Sequence, residues 1–235
     1  MSFEQIKKMV SFFALLIALL ILVLFFSSIT VTSVSVPVPP VPALTEGGTN
    51  ADFQTNIDSY PTNLYPAVFL SYDAVTSVGT SFLIKKTATY PIPSNFTFLS
   101  NWSFTSSAPN ITISTTTNAN DTATCTDVNY QVFGNVPIEQ GQRIIFSVLL
   151  VTSCAATLGT TTEGVGVGTV LDNKAEILGN AESVGFFDNG FLVLLGAGYD
   201  LGFTPLGGNN KLIDVAVDTV STKMWFRVDG GDWQG

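Results

Sequence analysis

Hydrophobic positions fall along this chain in two rhythms. From Met9 to Phe26 they form a single apolar run broken only by Ser11; from Leu64 onward they return as short runs rich in Val, Ile, Phe, Thr and Tyr, set between Gly, Asn, Asp and Pro. The first rhythm predicts one transmembrane helix over residues 9–28, because about 18–20 helical residues at ~1.5 Å each span the hydrocarbon core. The second predicts strands. They are "LYPAVFLSY" from Leu64, "SFLI" from Ser81, "FTFLSNWSF" from Phe96, "ITIST" from Ile111, "VNYQVF" from Val128, "RIIFSVLLV" from Arg143, "GVGVGTV" from Gly164, "SVGFF" from Ser183, "FLVLL" from Phe191 and two more at the end. No convincing helical stripe follows the stalk. The expected fold is all-β, a two-sheet antiparallel sandwich preceded by one helix.

The flanks of the apolar run orient it. Lys7 and Lys8 precede it and no Lys or Arg recurs until Lys85, which places residues 1–8 on the inner side and the domain outside. A cleavable signal usually stops at about 15 apolar residues and ends in a small-x-small site. This run is longer, so a retained anchor is expected; cleavage near Ser28-Ile29-Thr30 is the alternative. Residues 29–55 read as a Ser/Thr/Pro-rich stalk, since four prolines between Val36 and Pro42 favour an extended polyproline spacer. Residues 56–235 form the outer domain.

The last two strands can be registered from their side-chain alternation. Pairing Asp218 with Lys223 sets Ala216 opposite Trp225 and Asp214 opposite Arg227 on one face. Val217–Met224, Val215–Phe226 and Ile213–Val228 then occupy the other. One face is wholly apolar and the other holds two opposite-charge pairs, while a one-residue slip would bury four charges. The charged face is expected to be solvated, with Trp225 on it either as a stacking platform or simply as cover.

Composition narrows the chemistry. Histidine is absent, which removes the usual general base and zinc ligand and every Ser/His or Cys/His pair. The net charge of −9, with nine Lys and Arg, argues against nucleic acid, which needs clustered cations. Charged residues make up only 11 %, so solubility must come from hydroxyls and amides. Four Asn-x-Ser/Thr triplets, at Asn95, Asn101, Asn110 and Asn120, suit attached sugars on an exported domain and place a binding face elsewhere. Chance clustering in a Thr- and Asn-rich chain is the alternative. Cys125 and Cys154, the only cysteines, read as a disulfide in that compartment, with two free buried thiols as the alternative. Asp172, Asn173, Asp188, Asn189 and Asp200 offer calcium oxygens, but turn chemistry explains them better, and no metal or cofactor is expected. Asp214 and Asp218 lie about 13 Å apart along one strand, too far for paired-carboxylate glycoside cleavage.

"LIDVAVDTVSTKMWFRVDGGDWQG" resembles the end of the SPRY-type concanavalin A-like domain. The resemblance is carried by Val215, Val217, Asp218, Lys223, Trp225, Phe226, Arg227, Gly230, Gly231 and Trp233. Upstream, "GVGVGTV", "ILGNAESVGFFDNG" and "LGFTPLGGNN" extend it over residues 164–235. Asp229 stands where the family usually has Asn, a mild departure. The family pattern continues into an aliphatic-aromatic-Pro-Ala-Val strand that does not follow here, and the similar "LYPAVFLSY" suggests a permuted sandwich, or else an edge that pairs with another subunit. The resemblance implies a jelly-roll binding fold without catalysis. Its expected contacts are Trp225, Trp233, Asp188, Asn189 and Gly207. The expected function is recognition of, or attachment to, a glycan or surface protein, with homo-oligomerisation allowed. The alternative is a structural subunit of a virion, envelope spike or surface layer, and a glycoside hydrolase is the remote third.

Overall fold

The computed structural model describes residues 63–105, 110–115, 121–127, 129–154, 163–169, 183–194, 197–200 and 208–235. The expected membrane span over residues 9–28 and the stalk lie outside them. Among the described residues no helix is long and apolar enough to cross a membrane. What they form is strand. In chain order these are β1 (Asn63–Leu70), β2 (Tyr72–Asp73), β3 (Val78–Gly79), β4 (Ser81–Lys85), β5 (Thr97–Phe98), β6 (Phe104–Thr105), β7 (Ile111–Thr115), β8 (Asp121–Cys125) and β9 (Tyr130–Gly134). There follow β10 (Ile138–Glu139), β11 (Arg143–Thr152), β12 (Gly164–Gly168), β13 (Ser183–Phe187), β14 (Phe191–Leu194), β15 (Ala197–Asp200), β16 (Lys211–Asp218) and β17 (Lys223–Val228).

Two sheets result. The first runs β15-β14-β13-β12-β1-β9-β6, with β10 beside the start of β1; the second runs β17-β16-β11-β4-β8-β7. All pairs are antiparallel except β5, which lies parallel to Ile144 and Ile145 where β4 no longer reaches β11. β1, the "LYPAVFLSY" segment, is a central strand of the first sheet between β12 and β9. The edge of β17 is bridged by the chain's own tail, since Phe226 and Gln234 exchange backbone hydrogen bonds of 2.7 and 2.8 Å.

Alternation decides what lies between the sheets. In β11, Ile144, Phe146, Val148 and Leu150 enter the main core, and in β16 Ile213, Val215 and Val217 do the same, as period-two patterning requires. Phe186 of β13 stacks on Phe226 of β17 at 4.9 Å between ring centres, tying one sheet to the other. The segment expected as one strand from Phe96 is instead divided. It serves the second sheet as β5, crosses, and joins the first as β6. Trp102 lies in the crossing, fully buried and edge-on to Phe104 and Phe146 at 5.4 and 5.5 Å.

The terminal hairpin has the register the sequence dictates, from Ile213 opposite Val228 to Asp218 opposite Lys223. Its charged face differs from expectation. Asp214, Asp218, Trp225 and Arg227 are all buried rather than solvated. The reason is that Ile92, Phe96, Phe98 and Trp233 fold over that face and make a second small core with Ile145, Ala216 and Trp225.

Candidate functional site

Three places hold the residues singled out by sequence. The first is the covered outer face of β16 and β17. Arg227 donates from Nε to Asp214 Oδ2 at 2.6 Å and from a terminal nitrogen to the Pro91 carbonyl at 3.2 Å. Ser147, opposite Asp214 on β11, donates its hydroxyl to the same carboxylate. The guanidinium lies 4.4 Å from the centre of the Trp233 ring and 5.4 Å from that of Tyr90. Tyr90 in turn packs on Gly230, where an added Cβ would strike its ring. Trp233 is therefore a half-buried clamp for the tail. Trp225 is only 8 % exposed and stands edge-on to Phe96, so it is a core side chain rather than a contact residue.

Asp218 closes the far end of this face. Arg143 Nε donates to it at 2.9 Å, as do the Ser221 hydroxyl at 2.8 Å and the amides of Val220 and Ser221. Burial alone would raise its carboxyl pKa, but these donors outweigh burial and hold it below the usual carboxylate value. Asp218 thus orders the Thr219–Thr222 turn and takes its charge partner from β11, although Lys223 stands opposite it in register.

The second place is the end of the sandwich that holds both cysteines. Cys125 ends β8 and Cys154 follows β11; the structure holds both as buried thiols, not as the expected disulfide. Burial pushes both thiols up, and Cys154 adds to the shift at Cys125. The second sheet brings the two cysteines to one end because β11 and β8 flank β4 with their last residues beside its first, Ser81. Glu163, fully buried, accepts from the Cys154 amide and the Thr80 hydroxyl, and its own carbonyl accepts from Asp188 N at 2.9 Å. Asp188 is buried. Exposed Asn189 accepts from Phe191 N at 3.0 Å, and Gly190 takes φ 85° to complete the β13–β14 turn. Gly207 lies outside the described residues, but neighbouring Asn209 is at this end, accepting from Ser153 N at 2.8 Å. The Asp229-Gly230 turn joins them, both residues with positive φ, 51° and 74°, as a two-residue turn of the mirror-image type demands.

The third place is the set of Asn-x-Ser/Thr triplets. Asn95 and Asn101 are exposed and lie toward the end opposite the cysteines, while half-buried Asn110 stands at the cysteine end. They do not share one edge, because the chain crosses between sheets among them. Asn120, Asp172 and Asn173 fall outside the described residues. Among the described residues no three of His, Cys, Asp and Glu gather as metal ligands. The turns at the cysteine end were visible to sequence reading only as separate Gly and Asx signals. Their meeting depends on strand order, which no local pattern carries.

The fold thus defines the class, an all-β two-sheet antiparallel sandwich. Comparison with protein families, with curated proteins and with solved structures finds no match to this chain.

Proposed function

We propose that this protein is a membrane-anchored surface module, held by residues 9–28 with its amino terminus inside, whose outward β-sandwich recognises or attaches to a glycan or a surface protein without catalysis. On this reading the sandwich is a concanavalin A-like jelly roll of the SPRY type, with β1 as its permuted strand. One observation carries the proposal. Turns from distant parts of the sequence lie at the cysteine end: those around Val75, Asn189 and Asn209 are tied together through Ser153, Cys154 and Glu163, and the one at Asp229 is held by Leu212. Exposed turns on a rigid sandwich suit recognition. Val75 is 90 % exposed there, an apolar side chain in solvent at the tip of the β2–β3 turn. The exposed triplets Asn95 and Asn101 lie toward the other end, and Asn110, the one described triplet at the cysteine end, is half-buried beside β7.

The full chain in detergent, applied to arrays of glycans and surface proteins, is expected to give a discrete hit. Val75→Arg combined with Asp232→Arg, the latter an exposed residue just past the Asp229-Gly230 turn, abolishes that hit, while Val220→Arg at the opposite end leaves it unchanged. No hit from a folded protein, or loss through Val220→Arg alone, would sink the reading. A second reading, a structural subunit of a virion, envelope spike or surface layer, is favoured by β7, whose outer edge has no strand partner among the described residues.

A further inference from the structure

β7 ends the second sheet, and among the described residues β8 is its one strand partner. Its backbone polarity follows from one bond. Thr126 N donates to the Asn110 carbonyl at 2.9 Å, so Asn110, Thr112 and Ser114 turn their backbone groups toward β8. Ile111, Ile113 and Thr115 therefore present N–H and C=O outward. Sheet edges of this kind are usually blunted by charge, proline, a bulge or extreme shortness. β7 carries none of these: "ITIST" is five residues long, uncharged and in unbroken register with β8. The other edges differ. β17 is bridged by Gln234, β6 has only two residues, and β15, the other end of the first sheet, has four and includes the charged Asp200.

The geometry points to a second copy of this chain as the occupant of the β7 edge, paired antiparallel about a two-fold axis through Ile113. In that register Ile113 faces its own counterpart and Ile111 faces the partner's Thr115, each pair exchanging both backbone bonds. Thr112 falls opposite the partner's Ser114 on the outer face. An isologous contact sets each side chain against its own surface, so a charged edge would repel itself. An uncharged one does not. Ile113, half-buried at the rim of the main core, has its remaining apolar surface covered by its counterpart. The second sheet becomes continuous across both molecules, with Thr and Ser hydroxyls on its outer side. This pairing stands apart from the recognition reading, because it is measured as mass and not as ligand binding.

The test uses the full chain in detergent, made in a host that adds no N-glycans, with mass followed by sedimentation. The wild type is expected to dimerise at micromolar concentration. Thr112→Lys with Ser114→Lys alters only exposed side chains, yet sets like charges opposite one another twice across the axis. It should weaken the dimer at least about tenfold. Thr112→Glu with Ser114→Glu does the same. An equimolar mixture of the two restores a dimer of one Lys and one Glu chain, because each Lys then meets a Glu. Thr115→Pro, which removes an outward N–H and spares the ladder to β8, also weakens it. A wild type that remains monomeric, or charge variants that dimerise like wild type, would overturn the proposal.

Discussion

Arg227 draws four partners onto one side chain. It neutralises Asp214, holds the Pro91 carbonyl and carries the Trp233 and Tyr90 rings. Both members of the ion pair are buried, so removing one leaves the other charged in a low-dielectric place. Arg227→Met is expected to cost about 3–5 kcal/mol, and Asp214→Leu combined with Arg227→Met considerably less, as read from urea midpoints. Asp218 gives a pH signature. A carboxylate held below its ordinary value near 3.8 adds stability above that value and loses it as the pH falls through the lower, folded one. Asp218→Asn should therefore cost about 1–2 kcal/mol at neutral pH. The difference from wild type should close as the pH falls below the ordinary value, as followed by denaturation between about pH 6 and pH 2.

At the scale of elements, β12 shows how closely neighbouring strands approach. A Cβ on Gly166 would overlap the Val184 carbonyl oxygen in β13, so Gly166→Ala must push two central strands apart. The expected cost is about 3 kcal/mol, seen as a fall in thermal midpoint. Gly141→Ala, at an open turn where a Cβ meets nothing, costs only the ~1 kcal/mol strain of its φ of 89°. The β16–β17 hairpin was legible in sequence down to each cross-strand pair, because one face is apolar and charges punish any slip. β8 was not. "DTATC" has no large apolar residue, and its strand character comes from lying between β4 and β7. Nor could the hairpin reveal that its charged face is covered, since most of the cover, Ile92, Phe96 and Phe98, comes from more than a hundred positions earlier, joined by Trp233 of the tail.

For the molecule as a whole, alternation supplied the all-β class and most strands, whereas the gathering of turns at the cysteine end and the open β7 edge depend on sheet order. Trp225 shows the limit of reading a site from residue type. An aromatic flanked by charges in sequence is in fact beneath Phe96, and the exposed apolar side chain at the cysteine end is the unremarked Val75. The position of β1 has a mechanical consequence. A pull on the chain at Asn63 runs along a strand paired to β12 on one side and to β9 and β10 on the other. The load falls on both ladders at once and in shear, so the bonds resist together and cannot be unzipped singly from an edge. Force entering at Asn63 is shared between two ladders rather than borne by one.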